Sequence, residues 1–283
     1  MNCEVCNSTE IKELFRKDDL TFFACSHCNL IFTSPGFSLS DVKKIYNEDY
    51  YNPWKINDVK VSARHNKVPT FNRWLFEIEK YITRGRILDI GCANGFFLEV
   101  AQEHGWVPYG VEISDYSSKI AQRKFGSHVF RGSLNDAHFD SESFDVVTAF
   151  DLIEHLLSPI QFLYEVFRVL KPGGIMAIVT ADTKSFSCKL MGKNWPHFKT
   201  EHLYYFSPLN AAAILKKARF RVLMIKRANK ILTINYIKSI MEVYHTPVLS
   251  RILTLLYYVL PRGLTNLPFC IPSGEMLIIA ERA

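Results

Sequence analysis

The 283 residues contain no run of roughly 18 apolar positions, the length a membrane-spanning helix needs. A helical membrane span is therefore excluded. No secretory leader is visible either: Met1-Asn2 runs straight into Cys3, with no charged segment and no apolar stretch ahead of it. The expected compartment is the cytoplasm, with peripheral contact at the inner membrane face left open. Cysteine is scarce at seven residues, and Cys92, Cys188 and Cys270 have no partner at ligand spacing, so they read as packing residues. Charged residues make up 22% and hydrophobic residues 48%, which supplies a sizeable core and excludes gross disorder. The length accommodates one large domain plus a small module.

The other four cysteines stand as Cys3-Glu-Val-Cys6 and Cys25-Ser-His-Cys28, with 18 residues between the pairs. Two thiolates at this spacing reach one ion from a single tight turn, and two such turns complete a tetrahedral site. In a reducing compartment the pattern predicts a structural zinc rather than disulfides. A redox dithiol would need only one pair, at the start of a βαβ helix. Four thiolates leave no open position for catalysis. The intervening residues read as a hairpin, with Leu14, Phe15, Leu20, Phe22 and Phe23 available to cover the metal. A module this small folds on metal binding rather than on apolar burial alone.

Charge is unevenly spread within the net +6. Residues 1–36 hold three basic against five acidic side chains, whereas residues 184–251 hold thirteen Lys/Arg against Glu201 and Glu242. The C-terminal third is where an anionic partner is expected. Between ribbon and main domain, residues 37–80 read as a helical connector or cofactor lid. It has a Ser40-Asp41 cap, the aromatic cluster around Tyr50 and Tyr51, and a second helix from about Pro69 to Tyr81. Tyr50 either packs as part of an aromatic patch or closes over a bound ligand.

The segment Arg86-Ile-Leu-Asp-Ile-Gly-Cys-Ala-Asn-Gly-Phe reads as a buried strand, a tight turn and a helix start. A nicotinamide site would read GxGxxG and cradle a pyrophosphate. Here the turn is DxGxxxG, and the acid ending the strand suits a positively charged ligand better than a phosphate. These residues resemble motif I of class I S-adenosylmethionine (SAM)-dependent methyltransferases. Further motifs follow in the family's order: Val107 to Glu112 as a strand ending in an acid, Arg131-Gly-Ser-Leu134 after a third strand, Asp151-Leu-Ile-Glu-His155 after a fourth, and Leu170-Lys-Pro-Gly-Gly174 before a fifth. The resemblance covers about residues 85–228. It implies an α/β fold: a Rossmann-like seven-stranded methyltransferase sheet, last strand antiparallel, with helices on both faces and the small zinc ribbon in front. The implied domains are the ribbon at 1–36, the connector at 37–80, and a SAM-binding domain at 81–283 with a helical insertion at about 229–272.

The resemblance also implies the cofactor site. Asp89, Gly91, Cys92, Ala93 and Gly95 shape the turn, and Glu112 with Ile113 meets the ribose. Ser133 and Leu134 lie on the adenine side, and Asp151 and Tyr50 complete the set. Two departures stand out: Ala93 replaces a frequent third glycine, and Ser133 replaces the usual aspartate. For the acceptor, His155 and His202 are candidate bases, with Glu201 beside the latter. The Glu201-His202 pair is similar to the Tyr-x-Glu-His stretch of sugar C-methyltransferases, although Lys199 stands in place of the tyrosine.

Ala218 to Ile225 reads as strand six and Glu275 to Ala280 as strand seven, with helices expected at Ile231–Tyr244 and Val248–Leu260 between them. This insertion reads as a substrate lid, a dimer surface or an interfacial membrane helix, and the chain as a monomer or homodimer. The leading expectation is methyl transfer to a small-molecule or glycan-type acceptor, anionic and nucleotide- or lipid-linked. An RNA methyltransferase gripping RNA through the zinc module is an alternative. It is disfavoured by the acidic ribbon and by the missing Asn/Asp-Pro-Pro-Tyr/Phe motif. A non-catalytic SAM-fold binding protein is the third reading, and no DNA partner is expected.

Overall fold

A computed structural model of the chain describes residues 2–17, 19–34, 57–243 and 265–283. Tyr50, the first part of the connector and the expected helix at Val248–Leu260 lie outside the described residues. The first strands are β1 (Ile11–Lys17), β2 (Leu20–Cys25) and β3 (Ile31–Ser34), followed by helix α1 (Asn57–Ile78). Next come β4 (Arg86–Ile90), α2 (Phe96–Glu103), β5 (Val107–Glu112), α3 (Asp115–Phe125), β6 (Val129–Arg131) and β7 (Phe144–Phe150). The order continues with α4 (Pro159–Val169), β8 (Leu170–Ala181), α5 (Phe186–Met191), β9 (Tyr204–Tyr205) and α6 (Pro208–Lys217). It closes with β10 (Phe220–Leu232), α7 (Ile234–Val243) and β11 (Phe269–Arg282).

Seven strands form the main sheet in the order β10-β11-β8-β7-β4-β5-β6. β4 to β8 pair in parallel, while β11 runs antiparallel to both β8 and β10. The sheet and the antiparallel last strand agree with the sequence expectation. Alternation along each strand splits the core into two layers, because successive side chains point to opposite faces. Leu88, Val147, Met176 and Ile278 pack with Leu163 and Val166 of α4 and Ile214 of α6 on one face. Ile87, Val146, Ile175 and Ile279 pack with Leu75 and Ile78 of α1 and Phe97 of α2 on the other.

Two boundaries differ from the sequence reading. α1 begins at Asn57 and runs through Pro69. The sequence placed its start at Pro69 because proline suits the first turn of a helix. The insertion expected to be helical from about 229 opens and closes as strand. Asn229 pairs with Pro272 and Leu232 with Phe269, so β10 and β11 extend well past their predicted ends. Helix α7 then falls inside the span predicted at Ile231–Tyr244. Among the described residues, no helix is long and apolar enough to cross a membrane.

The N-terminal ribbon does not stand apart. Its three strands make a four-stranded antiparallel sheet with β9, a segment of the main domain. Cys3, Val5, Cys25, Leu30 and Phe32 belong to the same buried cluster as the β4, β7 and α4 side chains. Phe22 stacks on Phe15 at 4.5 Å and meets Phe198 and Tyr205 at 5.2 and 5.6 Å. Phe22→Ala is expected to cost about 3–5 kcal/mol, the usual penalty for emptying a buried phenylalanine site. Chemical denaturation measures the loss, and limited proteolysis should cut first within residues 194–206, which Phe22 helps to hold.

Candidate active site

The strand order reverses between β4 and β7, so a crevice opens beyond the carboxyl ends of these two strands. Asp89, near the end of β4, is buried and accepts a 2.6 Å hydrogen bond from the Thr148 hydroxyl on β7. Glu112 ends β5, also buried, and accepts from the backbone N–H groups of Ala93 at 2.9 Å and Ser114 at 2.7 Å. Burial raises the Asp89 carboxyl to about 7, with nearby Glu112 adding to the rise and Thr148 opposing it. Burial likewise raises Glu112, against the lowering effect of its backbone donors. Among the described residues neither carboxylate forms an ion pair. Buried charges without a counter-ion are costly, so the crevice fits a ligand that carries positive charge and hydroxyl donors.

The turn between these carboxylates needs the left-handed backbone. Gly91 and Gly95 both have φ of +78°, and a Cβ on Gly95 would sit 3.1 Å from the Phe125 ring. Ala93 also adopts a positive φ of 45°, held there by its bond to Glu112. Cys92 turns inward and fills space over Gly110, where a Cβ would come within 2.7 Å of its sulfur. Asn94 places a buried Oδ1 at the turn with no hydrogen-bond partner. Ile113 is half-buried after β5, and Leu134 is buried after β6. Ser133 donates to Asp136 at 2.6 Å, so the hydroxyl and the acid act as a local pair.

Beyond β7 the chain makes a short 3-10 turn at Ile153–His155. Glu154 is buried there and accepts from the Thr180 hydroxyl of β8 at 2.9 Å. Burial pushes its carboxyl up to about 8, helped by Asp151. His155 donates from Nδ1 to the Glu201 carbonyl at 2.9 Å, and its ring meets that of His202 at 4.6 Å, edge to face. His202 is buried, its Nδ1 has no partner, and burial followed by the neighbouring His155 lowers its basicity well below the ordinary histidine value. The two predicted histidines thus come together, while Glu201 contributes its backbone carbonyl and points its carboxylate at Thr200 and Lys199. The buried acid of this cluster is Glu154. Glu154 precedes His155 just as Glu201 precedes His202, and only the likeness of the second pair to a Tyr-x-Glu-His stretch pointed to Glu201 instead.

A second group escaped the sequence reading. Lys230 on β10 reaches Asp151 at 3.2 Å and Glu275 on β11 at 2.7 Å. Ser273 donates to the other Glu275 oxygen at 2.8 Å, and His197 donates to the Ser273 carbonyl at 2.9 Å. Asp151 has φ of +53° and donates its N–H to Val179 on β8. Several cations of the basic third are therefore engaged within the chain, Lys226 with Glu77 and Lys217 with the Glu4 carbonyl among them.

In the ribbon, Cys3 and Cys28 lie 3.4 Å apart at sulfur, Cys6 and Cys25 3.5 Å apart, and all four sulfurs are within 4.8 Å of one another. No disulfide joins them. Tetrahedral zinc with bonds of about 2.3 Å sets sulfurs about 3.8 Å apart, so the four thiols fit such an ion. Two matching turns present them: Asn7 donates its N–H to the Cys3 carbonyl and Asn29 to the Cys25 carbonyl, each asparagine in the left-handed region. An asparagine directly after each pair is a signal the sequence carried.

Residues 67–225 match the family described as methyltransferase domain. The chain belongs to that family. Among curated relatives, a ubiquinone biosynthesis O-methyltransferase of Paracidovorax citrulli is 24% identical over 49% of this chain and 64% of its own length. Another of that name from Hahella chejuensis is 28% identical over 64% of this chain and 80% of its own length. The match to the first of these methyltransferases thus spans less than two thirds of it. A Thermotoga maritima SAM-dependent methyltransferase, described as a possible histamine N-methyltransferase, has a similar fold, with a TM-score of 0.56. It is 19% identical, and the match covers 87% of this chain and all of that one. Within the methyltransferase turn, Gly95→Ala forces a side chain into the left-handed region against Phe125. It is expected to cost about 1–3 kcal/mol, read by thermal or urea unfolding.

Proposed function

We propose that the protein transfers a methyl group from SAM to a small-molecule or glycan-type acceptor. The observation that carries this reading is the pair of buried carboxylates, Asp89 and Glu112, which have no counter-ion among the described residues, at the crevice where the strand order reverses. Asp89 would meet the positive end of the ligand and Glu112 the ribose hydroxyls. Ile113, Leu134 and Ser133 would border the adenine, and Asn94 supplies an unpartnered acceptor at the turn. When bound, SAM supplies an electrophilic methyl carbon on a sulfonium. The chain's own task is to position the acceptor and exclude water, and such orientation lowers a displacement barrier substantially.

The acceptor side would lie by His155 and His202, both in reach of the same end of the sheet. Burial keeps His202 neutral, the form that takes up a proton or binds an electrophile. The curated relatives are named for O-methylation, which favours a hydroxyl on a small molecule as the acceptor group. The four ribbon thiolates would hold a structural zinc with no open position.

Calorimetry with SAM and with adenosylhomocysteine tests the cofactor assignment. Glu112→Ala is expected to weaken binding roughly 10–100-fold, about 1.4–2.8 kcal/mol. Binding should also tighten as pH rises from about 6 to about 8. Asp89 titrates near 7 in the free protein, and a cationic ligand selects its ionised form, releasing a proton. Asp89→Asn should flatten that pH dependence. Absence of binding by the intact protein would remove the proposal.

A further inference from the structure

Outside the carboxylate crevice, three groups with metal-ligand chemistry converge from two separate segments. Glu154, His155 and His202 each offer a ligand atom, and the three atoms lie within 4.8 Å of one another. Glu154 and His155 sit on the 3-10 turn after β7, and His202 comes from the loop before β9. The backbone fixes these segments together: the Leu203 N–H donates to the Glu154 carbonyl at 2.8 Å. On the far side, Thr33 of β3 donates its hydroxyl to the His202 carbonyl at 3.2 Å and its N–H to the Leu203 carbonyl at 3.0 Å.

The side chains are oriented in the manner of metal ligands. A carbonyl oxygen only accepts, so the bond from His155 to Glu201 places the proton on Nδ1 and the lone pair on Nε2. Outer-shell bonds of this kind fix tautomer and ring direction in metal sites. Thr180 orients the Glu154 carboxylate through one oxygen. His202 is 4% exposed, and its Nδ1 has no hydrogen-bond partner. A buried imidazole nitrogen without a partner costs free energy that a bound ion recovers.

We infer that Glu154, His155 and His202 form a second metal site, separate from the four-cysteine ribbon, that takes a divalent transition cation such as manganese, iron, cobalt or zinc. Two imidazoles and one carboxylate are a donor set that leaves positions open for a further ligand. Its harder nitrogen and oxygen donors separate it from the thiolate site, which selects softer ions. Ion binding stands on these residues alone. Its role rests on the methyltransferase reading: the open positions would take an oxygen of the acceptor, so the substrate class becomes one with a hydroxyl or carbonyl able to ligate a metal.

The test uses full-length protein carrying its ribbon zinc, titrated with Mn(II) alone and followed by the paramagnetic resonance signal of the free ion. One Mn(II) per chain is expected. His202→Ala and Glu154→Gln should each lower its affinity at least about 100-fold, beyond the roughly 10–100-fold typical of losing an outer-shell partner. Ribbon zinc, counted by mass spectrometry, should stay unchanged. His155→Gln serves as a further variant, and circular dichroism checks that all three fold. Adenosylhomocysteine binding is measured in the same samples. No Mn(II) uptake by the zinc-loaded wild type, or uptake unaltered in folded variants, overturns the site even if the nucleoside binds. Uptake without nucleoside binding leaves the site standing and overturns the methyltransferase reading.

Discussion

Strand β9 has only two residues, yet it is gripped from both sides. Ile31 and Phe32 of β3 pair with Tyr205 and Tyr204, and Leu203 bonds back to Glu154 beyond β7. The Tyr205 hydroxyl donates to the carbonyls of Lys199 and His202, closing the loop on itself. A loop that carries His202 through a buried region has backbone groups that must find partners, and here the ribbon supplies them. The ribbon therefore acts as a brace for the loop that carries His202. Lys17 adds a bond to the Phe198 carbonyl at 2.7 Å, and Phe15 and Phe22 enclose Phe198 from the ribbon side.

A second constraint works at the carboxylate crevice. The sheet buries Asp89 and Glu112 where parallel strands end and helices begin, and among the described residues their hydrogen-bond donors are a hydroxyl and backbone N–H groups. This polar pocket is preorganised before any ligand arrives. Preorganisation moves the cost of positioning from the binding step to the folding step, where the core of two packed layers offsets it. Asp151, Lys230 and Glu275 form an ion-pair group that ties β10 and β11 to the loop after β7.

Much of this was legible in the chain. The parallel strands announced themselves as short apolar runs followed by glycine turns, and β5 falls on the predicted residues, Val107 to Glu112. The paired cysteines carried their own spacing, and the acids ending two strands carried theirs. Less legible were elements whose reason lies in partners far along the chain. β9 is too short to show a period. The strand extensions at Asn229–Leu232 and Phe269–Pro272 exist because each completes the other's hydrogen bonds. Pro69 signals a helix start by local rules, but the turn of α1 before it is held by distant partners: Asn66 accepts from the Thr233 N–H and Arg64 pairs with Glu99.

What the sequence determined by itself was local chemistry: a turn that requires left-handed backbone at Gly91 and Gly95, an acid at each of two strand ends, and two thiol pairs. These follow from residue type and spacing over a few positions. What only the tertiary structure decided was juxtaposition. Glu154 and His202 are 48 positions apart, and the ribbon's Thr33 is 169 from His202. Their meeting depends on how two sheets and a loop pack. Long-range contacts arise from the burial of whole faces and from backbone groups seeking partners, and no window of sequence contains either.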